Sequence, residues 1–117
     1  MTLEDLQVYT LSMEIREDIW QIISEWKYFE KDTIGKQLVR STDSVAANIS
    51  EGYGRYSYKN NKHFCYYAWE SLSESKAWLT KAHNRPLLSE GLFQNLYKKL
   101  DSLSVKLNNY IKSIGPQ

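Results

Sequence analysis

Apolar residues recur every three or four positions along almost the whole chain, and this spacing restricts the possible fold more than any other feature. It places one apolar stripe along a helix, whereas a strand needs alternation at every second position. Only five glycines and two prolines interrupt the 117 residues, so each stripe can continue for many turns. The sequence therefore predicts an all-α protein built from long helices.

Helix start and stop signals divide this pattern into four segments. Thr2 and Asp5 resemble a capping box, and either Asp32 or Thr33 can cap the second helix. Ser89 is the expected N-cap of the fourth helix. The predicted helices span roughly residues 3–29, 33–53, 58–84 and 89–114.

Short connections between these segments predict how the helices are arranged. Helices of roughly 30–40 Å, at about 1.5 Å per residue, must lie antiparallel to their neighbours when the loops between them are short. A chain of 117 residues has room for one hydrophobic core. We therefore expect an up-down-up-down antiparallel four-helix bundle that forms a single domain over residues 1–117.

Cysteine content and hydropathy point to a cytoplasmic protein. Cys65 is the single cysteine, so no internal disulfide can form, as is usual in a reducing compartment. The sequence has no run of about 18 apolar residues that would suggest a membrane span. Its first ten residues carry acids rather than the basic residues of a secretory signal. We expect no membrane partner.

Motifs for cofactors, metals or catalysis are not apparent. The Gly52-Tyr53-Gly54 run lacks the third glycine and the preceding strand of a dinucleotide site, so these glycines are interpreted as a left-handed helix end. His63 and Cys65 are two positions apart on a helix and point in different directions. Cys65 lies in the apolar stripe, where thiols are usually inert. The sequence predicts no enzyme, no cofactor and no metal.

A polar stripe accompanies the apolar one on the second helix and faces polar residues of the third. This stripe fits the lining of a ligand cleft, but it fits better an internal hydrogen-bond network in which Arg40 meets Glu74. The residues assigned to this network are Arg40, Ser44, Asn48, Glu51 and Glu74.

Basic residues alternate with tyrosines where the second helix ends. Such a run can pair with phosphates and stack on bases, but it also fits a solvated loop whose cations favour a helix C-terminus. The residues alone leave both interpretations open. The candidate nucleic-acid contacts are Lys36, Arg40, Arg55, Tyr56, Tyr58, Lys59 and Lys62.

Aromatic residues and charge layout both suggest self-association. The chain holds sixteen aromatic side chains, and Tyr66 and Trp69 fall on the outer side of the third helix with Ser73 and Lys76. Residues 1–30 carry a net charge of −5, whereas the remaining chain is mildly basic. We therefore predict a homo-oligomer with an interface at Tyr66, Trp69, Ser73 and Lys76.

The middle of the chain also resembles a known family. KDTIGKQLVRSTDSVAANISEGYGR at 31–55 and YAWESLSES at 67–75 are similar to small bacterial proteins encoded within rRNA intervening sequences. This family also includes the accessory variability proteins of diversity-generating retroelements. The most specific part is DSVAANISEG at 43–52. The resemblance implies a helical bundle that assembles into a closed ring, a pentamer, with nucleic-acid binding described for the retroelement branch.

Two functions from different classes follow. The first is a non-enzymatic, ring-forming accessory protein that binds structured RNA or DNA weakly, alongside a reverse transcriptase or another protein. The alternative is a homo-oligomeric scaffold for protein partners without any nucleic-acid role. Clustering of basic residues on one face of the assembled ring would favour the first.

Overall fold

A computed structural model of the protein describes residues 1–116, which form helices and no strand. A 3-10 turn at Leu3–Asp5 precedes the first long helix. A short helical turn at Tyr28–Glu30 and a π-helical turn at Lys31–Gly35 lead into the second. The four long helices are α1 at Gln7–Ser24, α2 at Lys36–Tyr53, α3 at Tyr58–Asn84 and α4 at Glu90–Ser113.

The helices follow one another around the bundle in chain order. Each long helix contacts the next one in the chain, and α4 closes the bundle against α1. Lys106 near the end of α4 reaches Gln7 at the start of α1, whereas Lys99 reaches Asp18 further along, so these two helices run antiparallel. The extents of 48 × 23 × 20 Å fit one helix length by two helix diameters. The predicted four-helix bundle is confirmed.

Buried side chains occupy the predicted apolar stripes. On α3 six residues and on α4 four leucines, all at spacings of three and four, are buried. Full burial of one such aliphatic side chain contributes about 1.5–3 kcal/mol, so this core is the main stabilising feature. The residues concerned are Cys65, Ala68, Leu72, Ser75, Leu79, Ala82, Leu96, Leu100, Leu103 and Leu107.

Serine caps fix the starts of α3 and α4. The Ser57 hydroxyl accepts a hydrogen bond from the backbone N–H of Asn60 at 3.1 Å, and Ser89 accepts from Leu92 at 3.1 Å. The predicted limits of 58–84 and 89–114 agree with the structure to within one residue. Thr2 and Asp5 do form a capping box, but it caps the 3-10 turn rather than a long helix.

The prediction that the first helix extends to residue 29 is wrong. α1 ends at Ser24, and Lys27 is extended with φ −70° and ψ 160°. Phe29, which continues the apolar spacing of the first helix, belongs to the next helical segment and is 73 % exposed. The three-residue spacing from Trp26 to Phe29 continues across the turn, so apolar periodicity alone does not reveal the break.

The predicted start of the second helix is also wrong. The helical segment begins at Tyr28, so Asp32 and Thr33 lie inside it rather than at its N-cap. The Thr33 hydroxyl instead donates back to the carbonyl of Phe29 at 2.8 Å, an alternative that a helical threonine always has.

The two glycines at the end of α2 do not adopt the predicted left-handed conformation. Gly54 has φ −78°, and among residues 1–116 only Gly115 has a positive φ. At position 52 a glycine is needed for lack of space, because a Cβ there would lie 2.8 Å from Asn61 Oδ1 and 3.0 Å from the Asn61 carbonyl oxygen. This glycine lets α2 and α3 approach closely.

Candidate binding surfaces

Pairs of serine hydroxyls join α2 to α3 along their contact. The hydroxyl oxygens of Ser41 and Ser75 are 3.0 Å apart, and those of Ser44 and Ser71 are 2.9 Å apart. Ser41 and Ser75 are fully buried. We call these four residues the serine seam. Because its hydroxyls are paired across the helices, the seam has the internal hydrogen bonding of a structural element.

The predicted polar network is only partly assembled around this seam. Asn48 donates to the carbonyl of Ser44 at 2.9 Å and to its hydroxyl at 3.1 Å. Glu51 pairs instead with Arg55, and Glu74 accepts from the indole of Trp78 at 3.2 Å. Arg40 is exposed.

The expected contact between Arg40 and Glu74 is therefore wrong for the chain described, residues 1–116. Both side chains are exposed, and no ion pair joins them. A spacing of three or four positions places residues on neighbouring rows of a helix, but it does not say which row faces the partner helix.

The turn between α2 and α3 presents aromatic and basic side chains to solvent. Tyr56 is fully exposed, and Tyr58 and Lys59 are exposed beside it. Arg55 is partly engaged, because it pairs with Glu51 and its guanidinium lies 4.5 Å over the ring of Phe64. We call residues 55–59 the α2–α3 turn.

The other predicted nucleic-acid contacts do not all lie at this turn. Lys62 is half-buried on the first turns of α3. Lys36 and Arg40 occupy the first half of α2, whose 18 residues span about 27 Å. The predicted set is therefore divided between the two ends of α2.

Lys36 and Arg40 border an open cleft between α1 and α2 that the sequence did not reveal. The cleft has a volume of about 460 Å³. Trp20, 57 % exposed, forms one wall, and we call it the Trp20 cleft. Trp20 directly follows buried Ile19, and its position off the apolar stripe was the one available signal. The cleft is also lined by Ile23, Lys31, Gly35, Lys36, Val39 and Arg40.

The outer face of α3 carries the predicted interface residues. Tyr66 is 52 % exposed, Trp69 is 40 % exposed, and Ser73 is exposed near them. Lys76 is half-buried and its Nζ lies 3.0 Å from Asp101 Oδ1 of α4. Three of the four residues thus have freely presented side chains, and the fourth is already engaged within the chain.

Part of the acidic charge of α1 is neutralised within the bundle. Lys99 Nζ lies 2.7 Å from Asp18 Oδ2 and 3.1 Å from Glu14 Oε2. The hydrogen bond that Lys99 donates to Asp18 is the main cause of the raised pKa of Lys99. Arg16 reaches Asp43 of α2 at 3.7 Å. The uneven charge layout therefore serves internal pairing at these positions.

Cys65 is buried, and burial raises the pKa of its thiol to about 11. A thiol of this kind is a poor nucleophile at neutral pH. Among residues 1–116, no three His, Cys, Asp or Glu side chains are grouped as metal ligands. Over the same span, no helix combines the length and apolarity needed to cross a bilayer.

Comparison with known proteins places this geometry in a family. The family model described as 23S rRNA-intervening sequence protein matches residues 4–109. A crystal structure of a protein of unknown function from the S23 ribosomal protein family of Bacteroides thetaiotaomicron, at 1.70 Å resolution, superposes with a TM-score of 0.81. The two share 20 % identity over 91 % of this chain and 99 % of the other, a likeness that shows the fold. No curated protein sequence matches significantly. Because the family model spans most of its length, the chain belongs to the 23S rRNA-intervening sequence protein family.

Proposed function

We propose that the protein is a non-enzymatic, homo-oligomeric accessory protein that binds structured RNA or DNA weakly through the α2–α3 turn. The observation that carries this proposal is the fully exposed ring of Tyr56 beside the exposed cation of Lys59. Bases stack on exposed aromatic side chains and gain about 1–3 kcal/mol per base, and neighbouring cations pair with the phosphates.

The charge of the chain argues that binding is weak and electrostatic. With a net charge of +1, a single chain exerts no long-range attraction on a nucleic acid. Several turns brought together in a ring multiply the phosphate contacts. Arg55 keeps Glu51 as a partner in the free protein, so phosphate must compete with that carboxylate. Affinity should therefore fall steeply with salt.

Self-association is proposed to use the outer face of α3. Tyr66 and Trp69 expose rings of a size that usually anchors protein interfaces. Trp69→Ala should lower the mass measured by light scattering and leave the helical circular dichroism unchanged. A monomer at tens of micromolar wild-type protein would contradict the oligomer.

A titration of an RNA hairpin tests the nucleic-acid site. Replacing Arg55, Lys59 and Lys62 by Gln should weaken binding about equally for every sequence, and the slope of log K against log salt should shrink by roughly one per contact removed. Lys98→Gln, an exposed lysine of α4, is the matched control. Equal binding by the triple variant and wild type at about 50 and 200 mM salt would reject the site.

Tyr56→Ala separates stacking from charge. It should weaken binding to single strands by about 1–3 kcal/mol without changing the salt slope, because a stacked ring contacts no phosphate. A changed slope with unchanged affinity at low salt would contradict the stacking role.

A scaffold for protein partners is the second candidate, and the exposed face of Tyr66 and Trp69 favours it. A reverse transcriptase or another protein is the proposed partner class. If the triple basic variant loses nothing while Trp69→Ala loses a bound partner protein, the scaffold function is the correct one.

A further inference from the structure

We propose that the Trp20 cleft binds a small anion with an apolar body, such as an aliphatic or aromatic carboxylate. This site is distinct from the α2–α3 turn, because the two lie near opposite ends of α2. The proposal does not depend on nucleic-acid binding or on self-association.

The shape and lining of the cleft suit a small ligand. Its volume of about 460 Å³ falls within the range of about 300–1,000 Å³ typical of small-molecule sites. Trp20, Ile23 and Val39 supply an apolar surface between α1 and α2. An apolar body is favoured over a nucleobase, because the polar edges of a base would lose hydrogen bonds to water against these side chains.

Three cations around the cleft supply the charge complementarity. Lys31, Lys36 and Arg40 line it, all three are exposed, and within the described chain none of them forms an ion pair. Elsewhere in the bundle Lys76 and Lys99 each reach a carboxylate. Three like charges without a counterion repel one another, and an anion held between them relieves that repulsion.

The backbone at the cleft is irregular where the ligand would lie. Lys31 and Gly35 are the two ends of the π-helical turn, a geometry found frequently at functional sites. A Cβ on Gly35 would lie 2.8 Å from Ile23 Cγ2, so glycine keeps this turn close against α1. Lys31 within the turn and Lys36 directly after it both line the cleft.

Decanoate, kept below micelle formation, and its neutral counterpart decanol, kept within its aqueous solubility, test the proposal. Proton–nitrogen spectra report the indole N–H of each of the four tryptophans separately. Decanoate should shift chiefly the one indole signal that disappears in Trp20→Phe. Decanol should bind at least about tenfold more weakly, the effect expected from losing a charge-assisted contact.

Variants separate the charge from the apolar wall. Lys36→Gln with Arg40→Gln should weaken decanoate binding about tenfold or more and leave decanol binding unchanged. Val39→Gln should weaken both ligands, and Lys98→Gln should weaken neither. Helical circular dichroism and the thermal midpoint confirm that each variant is folded.

Three results would overturn the proposal. Decanoate could leave the Trp20 signal unmoved, or it could bind the Lys36 and Arg40 double variant as well as wild type. The Trp20 signal could instead move on dilution together with a fall in mass and show no response to decanoate. That last result would assign the cleft to a second copy of the chain.

Discussion

The α2–α3 contact and the α1–α4 contact hold the same bundle together in different ways. Along α2–α3, Gly52 permits close approach, and the serine seam includes the buried pair of Ser41 and Ser75. Between α1 and α4, long side chains bridge the helices at the rim, as Lys99 does to Asp18 and Lys106 to Gln7. The same spacing of apolar residues therefore produces two kinds of interface. Close packing determines the α2–α3 contact, whereas the α1–α4 contact includes charged side chains that are accessible to solvent.

This difference predicts unequal sensitivity to change. A close-packed interface cannot accommodate added atoms and cannot easily replace buried hydrogen bonds. A rim ion pair is screened by salt, and water replaces it at little cost. Perturbations of the α2–α3 contact should therefore exceed those of the α1–α4 contact, and they should not depend on ionic strength.

The largest expected effect concerns the reactivity of Cys65, which lies among the buried residues of α3. Raising a thiol pKa from 9.0 to about 11 lowers the thiolate fraction below pH 9 about 100-fold. Iodoacetamide at about pH 8 should therefore react at least about 100-fold more slowly with the folded protein than with the denatured one.

A reference thiol on an exposed surface checks this comparison. Cys65→Ser with Val105→Cys, on the exposed side of α4, should react at nearly the same rate folded or denatured. Comparable rates for wild-type Cys65 in the two states would mean that α3 separates readily from its neighbours.

Gly52→Ala should give the next largest effect, because its Cβ would overlap Asn61 of α3. Overpacking of this kind costs about 1–3 kcal/mol in the free energy of unfolding, measured by urea titration. Gly54→Ala is the matched control, since its Cβ would meet only ordinary contacts at 3.7 and 3.8 Å. Equal stabilities for the two variants would refute the close approach at Gly52.

Single serine replacements should have smaller effects. Ser41→Ala or Ser75→Ala removes one hydroxyl of a buried pair and should lower stability by about 0.5–1.5 kcal/mol. The double variant should lose less than the sum, because neither hydroxyl then remains without its partner. Strictly additive losses would show that the two hydroxyls are not coupled.

Lys99→Gln should have the smallest effect, up to about 1 kcal/mol, because its ion pairs are accessible to water. The difference from wild type should shrink in about 1 M salt, where charges are screened beyond a few ångströms. A salt-independent loss larger than that of Gly52→Ala would reverse the proposed ranking of the two interfaces.

The sequence was sufficient to predict features in which a residue acts on its own helix. Ser57 and Ser89 each accept a capping hydrogen bond from a residue three positions away, so the starts of α3 and α4 could be predicted from the sequence. The apolar stripe of α3 could be predicted from the sequence, because all its members face one core. The turn near Lys27 could not be predicted, since the apolar spacing continues across it.

Candidate sites were harder to predict because they depend on which helix faces which. Sequence grouped Lys36 with Lys59, although α2 separates them by most of its length. It paired Arg40 with Glu74, although both remain exposed. The sequence pattern does not mark Trp20 as a site residue, because the cleft also needs Lys36, Val39 and Arg40, which belong to a different helix.

The sequence by itself determined the all-α class, the four helices and the buried stripes, because helical periodicity and capping are local properties. Tertiary structure alone decided that Gly52 serves close helix approach, that the serines pair across α2 and α3, and that three cations surround an apolar cleft. Each of these depends on distances between residues far apart in the chain, and those distances exist only once the helices pack.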